Sequence, residues 1–195
     1  MPVSLDRHGS IAVLTIDNPP VNALGTAIRV QLLALAQQLE GDASVSAVVL
    51  RGAGRLFIGG ADIAEFDRPP EAPVLPDLIA RIETSAKPWI AALHGQVLGG
   101  GLELALGCAF RVAAPGATLG LPEVTLGIIP GAGGTQRLPR LIGLEAAIPV
   151  IAERQMLDSA RAAQLGLIDR VIDGPLTEGA LAFAAALPAP PLPAA

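Results

Sequence analysis

Twice along this chain an apolar run passes directly into a glycine-rich turn and then towards a helical segment, from Val48 to Gly60 and again from Ile90 to Leu106. Glycine allows close backbone approach at such turns. The other segments repeat the alternation. Ile11 to Asp17 alternates and is rich in β-branched residues, as a strand requires, and Asn18-Pro19-Pro20 ends it. Thr26 is the expected N-cap of a helix reaching about Glu40, with Ile28, Leu32, Leu35 and Leu39 at helical spacing. Ser46 to Leu50, Trp89 to Leu93 and Phe110 to Ala113 read as buried strands, with a shorter one at Thr118 to Gly120. Helices are expected over Leu78–Ser85, Gly99–Gly107, Gly133–Ile142, Leu144–Glu153, Ser159–Leu165 and Thr177–Leu187, and Ile63 to Asp67 reads as a helical turn. Arg68 to Pro76, with four prolines, reads as a flexible surface excursion. Strand and helix alternate throughout, so the class is α/β, and a layered or spiral stacking of the repeated units fits it.

Composition narrows the function. At 195 residues, 51% hydrophobic and 16% charged, the chain favours one domain with a sizeable core and excludes disorder. The most apolar stretch, Trp89 to Ala114, is interrupted by His94, Gln96, the glycines and Glu103, so no run reaches the ~20 residues of a membrane helix. With no basic segment leading into an apolar one, a signal peptide is not expected, and a cytoplasmic protein is. The formal net charge of −5 argues against a nucleic-acid partner. The single cysteine, Cys108, makes neither a disulfide nor a metal cluster and reads as a small buried side chain. The two histidines, His8 near a ragged N-terminus and His94 at a strand end, give it no obvious partner base.

The glycine turns suit one of two chemistries, because a strand-to-helix turn gathers backbone N–H groups that grip either a phosphate or a developing oxyanion. A dinucleotide fold needs G-x-G-x-x-G after a strand, yet Gly52-Ala53-Gly54 is followed by Phe57, and Gly131-Ala132-Gly133-Gly134 follows no clear strand. A P-loop needs Gly-Lys-Ser/Thr, and the only lysine is Lys87. The oxyanion reading is better supplied: Gly59-Gly60-Ala61-Asp62 is a tight turn, and Gly99-Gly100-Gly101 opens a helix whose first amides have no intrahelical partner. Carboxylates tip the balance. Glu103 lies in a run otherwise apolar from Val97 to Phe110, and Glu123 sits between Pro122 and Val124. Buried carboxylates have raised pKa values and act as acids or bases near neutrality. The plainer alternative is a salt bridge to an arginine such as Arg137 or Arg140.

These residues lie in segments that resemble the crotonase family, the enoyl-CoA hydratases and isomerases. Phe57 to Phe66 (FIGGADIAEF), His94 to Leu106 (HGQVLGGGLELAL) and Leu119 to Leu138 (LGLPEVTLGIIPGAGGTQRL) resemble its signatures in order, and Ser159 to Val171 resembles a later family segment. The similarity looks closest to the hydratase part of multifunctional fatty-oxidation enzymes. It implies a crotonase-like spiral of ββα units with surrounding helices over 1–187, followed by a Pro/Ala-rich tail over 188–195 where a linker could begin. It implies an acyl-CoA thioester substrate, no metal and no separate cofactor, since coenzyme A is part of the substrate, and a homotrimer. Ala61 and Gly100 match the family's oxyanion-hole amides, and Glu103 and Glu123 its two catalytic glutamates. Having both glutamates favours hydration of a 2-enoyl-CoA; the rivals are a 3,2-enoyl-CoA isomerase or mixed hydratase/isomerase using Glu123, and a non-catalytic acyl-CoA-binding or interaction module. Substrate contacts are implied for Asn22, Ala23, Leu24, Leu56, Gly60, Asp62, Ile63 and Gly131, and Arg55 could meet a CoA phosphate.

Overall fold

The computed structural model describes residues 2–188, so most of the tail expected over 188–195 lies outside the described residues. The chain enters on a hairpin, β1 (Val3–His8) and β2 (Ile11–Ile16), passes through α1 (Thr26–Glu40) and returns as β3 (Ala47–Gly52). A 3-10 turn (Ile63–Glu65) and α2 (Leu75–Glu83) lead to β4 (Trp89–Leu93), β5 (Gln96–Leu98) and α3 (Gly100–Gly107). Next come β6 (Phe110–Ala113), β7 (Thr118–Gly120) and a second 3-10 turn (Glu123–Leu126). The helices α4 (Gly134–Ile142) and α5 (Leu144–Ala152), β8 (Leu157–Asp158), α6 (Ser159–Gln164), β9 (Arg170–Val171) and α7 (Leu176–Ala185) complete the described fold.

Two sheets grow together. The large sheet has the order β1-β2-β3-β4-β6-β9, antiparallel at β1–β2 and parallel from there on. The small sheet has the order β5-β7-β8, and Ile58 extends it by a parallel bridge to Val97 of β5. Each pass of the chain therefore places one strand in each sheet: β3 then Ile58, β4 then β5, β6 then β7. This is a spiral of stacked units. The corner at Gly95 lies so close to the preceding pass that a Cβ there would sit 2.1 Å from the Arg55 carbonyl oxygen, and its φ of +56° also favours glycine.

Both faces of the central strands β2, β3, β4 and β6 are covered, which is why those strands read as nearly continuous apolar runs. Leu14, Leu50, Ala91, Leu93 and Ala113 point into the main core with Ile28 and Leu32 of α1, Leu78, Ile79 and Ile82 of α2, and Leu102 of α3. Their neighbours Val13, Val49, Ile90, Ala92 and Val112 face Ala180 and Ala184 of α7.

Several boundaries differ from expectation. β1 replaces the ragged N-terminus, paired residue for residue from Val3↔Ile16 to His8↔Ile11. Thr26 is the first helical residue rather than the cap: Gly25 occupies the cap, and Thr26 gives both its N–H and its hydroxyl to Glu65. α2 begins at Leu75, before Leu78, because Pro76 in the first turn forfeits an N–H that has no helical partner anyway. The proline excursion before it is pinned by side-chain bonds from Arg29 to the carbonyls of Glu71 and Pro73.

Candidate active site

The spiral itself brings the two glycine turns together. Ile58 pairs in parallel with Val97, and Leu98 donates its N–H to the Ile58 carbonyl at 3.1 Å. Ala61 and Gly100 each lie three residues beyond that pair, so equal register sets them side by side. A Cβ on Gly100 would be 3.1 Å from the Ala61 nitrogen and 2.8 Å from Cδ2 of Leu75. The first intrahelical bond of α3 runs from the Glu103 N–H to the Gly99 carbonyl at 2.9 Å, so the Gly100 amide precedes the helical ladder. Ala61 pairs with Leu24 through the Leu24 N–H and the Gly60 carbonyl, a bond that leaves the Ala61 amide out. Both amides border a cavity of about 340 Å³.

The two carboxylates border the same cavity. Glu103, one turn into α3, is 3% exposed, and its Oε1 accepts the N–H groups of Ala132 at 2.7 Å and Gly134 at 2.8 Å. Burial raises its pKa above the ordinary 4.5, opposed by those two amides and by the charge of Arg137. Glu123, the first residue of the second 3-10 turn, has an Oε2 that is buried and without a hydrogen-bond partner among the described residues. Burial, with repulsion from Glu103, pushes its pKa up to about 7 against the pull of its own backbone amide. Two carboxyls with raised pKa values therefore share one small space with the Ala61 and Gly100 amides, neither of which enters a loop or side-chain hydrogen bond among the described residues. Phe66, Leu75, Pro76, Leu126, Ile128 and Ile129 give that space apolar walls. A wider recess of about 480 Å³, lined by Arg29, Asp62, Glu65, Arg68 and Val74 among others, shares Ala61, Phe66, Leu75 and Ile128 with it.

Comparison with known proteins adds the ancestry. The enoyl-CoA hydratase/isomerase family model matches residues 6–191. The chain belongs to that family. It is 49% identical over 175 residues to the peroxisomal bifunctional enzyme of Danio rerio, covering 90% of this chain and 24% of that protein. It is 47% identical over 173 residues to a probable enoyl-CoA hydratase of Bacillus subtilis (strain 168), covering 85% of this chain and 67% of the relative. The crystal structure of an enoyl-CoA hydratase from Bacillus anthracis superposes with a TM-score of 0.88 at 36% identity, over 95% of this chain and 76% of the other. The fold is thus the crotonase fold expected from the motifs. The chain spans about a quarter of the length of the bifunctional relatives.

Within this crotonase frame, Glu103, Glu123, Ala61, Gly100, Gly60, Ile63 and Gly131 all border the smaller cavity, and Asp62 borders the recess while capping the first 3-10 turn through the Ala64 N–H. Asn22, Ala23, Leu24 and Leu56 border neither. Leu24 and Leu56 are core residues. The buried Asn22 side chain accepts the Asn18 N–H and donates to the carbonyls of Ala53, Leu56 and Phe57, tying two loops together. Arg55 is exposed on its loop. The salt-bridge alternative for the glutamates fails at Arg137, which pairs with Glu83 at 2.7 Å and bonds the Ala132 carbonyl, bracing the loop that serves Glu103. Sequence reading did not assign the Ala132 and Gly134 amides. The available signal is the glycine cluster from Gly131 to Gly134 at a helix start, which the sequence offers as a weak phosphate turn and, by resemblance, as part of the third signature with Gly131 as a substrate contact.

Proposed function

We propose that the protein is an enoyl-CoA hydratase acting on 2-enoyl-CoA thioesters, with the acyl-CoA held between the turns at Ala61 and Gly100. The observation that supports this most is the placement of the buried Glu103 and the half-buried Glu123, whose Oε2 is itself buried, on one small cavity with Ala61 and Gly100. The thioester oxygen accepts both N–H groups, which favour the enolate that develops as the nucleophile adds. Glu103, its Oε1 oriented by two amides, takes a proton from water as the water oxygen bonds to C3. Glu123, with a pKa of about 7, is substantially protonated at neutral pH and delivers a proton to C2. The product is the 3-hydroxyacyl-CoA; water is consumed and the enzyme's protonation is restored by exchange between the two carboxyls and solvent. The chemistry calls for no electron acceptor and no metal.

Relatives named as peroxisomal fatty acid beta-oxidation multifunctional proteins, in Arabidopsis thaliana and rice, support a role in fatty-acid β-oxidation. Assembly as a homotrimer, a cytoplasmic location and a catalytic domain over 1–187 belong to the same proposal; no helix among the described residues is long and apolar enough to cross a membrane. The deciding experiment follows the conjugated-thioester absorbance of crotonyl-CoA with wild type and Glu123→Gln. Rapid loss in the wild type, abolished in the variant, is expected. A wild type that leaves the absorbance unchanged while converting a 3-enoyl-CoA to the 2-enoyl isomer would replace hydration by isomerisation through Glu123.

A further inference from the structure

Arg29 is a buried cation that the chemistry above does not use. It lies in the first turn of α1, only 6% exposed, at the wall of the wider recess. Its five N–H donors all find acceptors. Nε donates to the Pro73 carbonyl at 2.7 Å. One terminal nitrogen donates to the Leu24 carbonyl at 2.8 Å and to Glu65 Oε2 at 2.7 Å. The other donates to Thr26 Oγ1 at 2.9 Å and to the Glu71 carbonyl at 3.2 Å. Glu65 completes the cluster by accepting the Thr26 N–H at 2.6 Å and the Thr26 hydroxyl at 2.9 Å. Burial alone would raise the pKa of Glu65, but the bonds from Arg29 and Thr26 outweigh it and leave it below 4.5, so the Glu65 carboxylate is ionised at neutral pH.

What these bonds hold is specific. Leu24 is the bridge partner of Ala61. Glu65 ends the short turn that follows Ala61. Glu71 and Pro73 lie just before Leu75, whose Cδ2 abuts Gly100. One guanidinium thus joins the segment carrying the first oxyanion amide to the segment that packs on the second. We propose that Arg29 is a positioning residue for the oxyanion hole, fixing the Ala61 amide and the Leu75 wall relative to Gly100 without touching substrate. The planar fork is what the task needs: an ammonium has three donors at one point and cannot reach carbonyls of residues 24, 71 and 73 as well as Glu65.

The inference rests on the hydratase reading, so its test includes a readout that does not. In Arg29→Lys, kcat for crotonyl-CoA should fall roughly 10–100-fold while KM moves by less than about threefold, as expected for misplaced rather than lost groups. The position of the pH profile should not move. Bound acetoacetyl-CoA, whose enolate absorbs in the near ultraviolet, should show a severalfold weaker enolate band. Hydrogen exchange in peptides covering 59–75 should quicken in the absence of any ligand. A folded Arg29→Lys protein with wild-type kcat, enolate band and exchange overturns the proposal. Should Arg29→Lys not fold, Glu65→Gln carries the test, with the same three quantities expected to move by a smaller factor, and unchanged values overturning it. If the wild type hydrates nothing, hydration fails on its own account, and the exchange measurement still decides the clamp.

Discussion

Replacing Gly100 by Ala isolates the oxyanion hole from the rest of the site. The added methyl would lie 2.8 Å from Cδ2 of Leu75, 3.1 Å from the Ala61 nitrogen and 3.5 Å from the Ala61 Cβ. The first contact is with the tip of a flexible side chain, so relief by a small Leu75 shift costs ~1 kcal/mol, the low end for overpacking. Against that, Ala in place of Gly within a helix gains up to ~1 kcal/mol. Stability should therefore change by less than about 1 kcal/mol. The second contact is the damaging one. An oxygen held by both amides at hydrogen-bond distance would have to share its space with a methyl 3.1 Å from one of the two nitrogens. Losing one donor of such a hole costs about 10²–10³ in turnover, ~2.7–4 kcal/mol of transition-state stabilisation. Crotonyl-CoA hydration and thermal unfolding of the same preparation measure the two effects. A Gly100→Ala protein with unchanged melting and hydration within threefold of wild type would refute the assignment of these amides, whatever the glutamates do.

Three further outcomes are expected. Glu103→Gln should lose about 10²–10⁴ in kcat, because the amide cannot take a proton from water, yet unfold near the wild-type temperature, because its carbonyl still accepts from Ala132 and Gly134. Glu123 has a folded pKa of about 7 against an ordinary 4.5, so the native state binds the extra proton in that window and stability falls as pH rises through it. Glu123→Gln should flatten this dependence and be more stable than wild type at pH 8, and wild-type activity should decline above pH 7 as the acid is lost; denaturant titrations and a pH–rate profile check both. Asn22→Ala should cost ~2–4 kcal/mol by stranding the carbonyls of Ala53, Leu56 and Phe57. Isothermal denaturation would measure that loss, and an unchanged stability would refute this structural role for Asn22.

The parts of the fold that could be read in advance share one physical property. β2, β3, β4 and β6 are covered on both faces, so their sequences are nearly pure apolar runs. β1 is an edge strand carrying Asp6, Arg7 and His8, and β8 and β9 span two residues each, too short for a periodicity. Glu103 and Glu123 stood out because a charge in an apolar context is conspicuous. The amides of Ala132 and Gly134 could not be read that way, since every residue but proline has an N–H and only the fold decides which ones converge. Arg29 was hidden for a related reason. On α1 it looks like one more polar position, and its burial depends on the return of a segment more than 40 residues later, at Glu71 and Pro73.

The oxyanion pair needs no separate explanation once the spiral is given. Parallel pairing of Ile58 with Val97 fixes the register of two successive turns, and an equal three-residue step from each places Ala61 against Gly100. The same stacking sets α3 into the core, which buries Glu103 four residues after Gly99, and it brings Gly120 to accept the Gly99 N–H at 3.0 Å, which delivers Glu123 three residues later. A carboxylate so placed is desolvated by the core that positions it. The raised pKa values and the adjacent amides are therefore products of one packing arrangement, and a change that shifts the register of Ile58 on Val97 by one residue would dismantle all four groups at once while leaving each of them in the sequence.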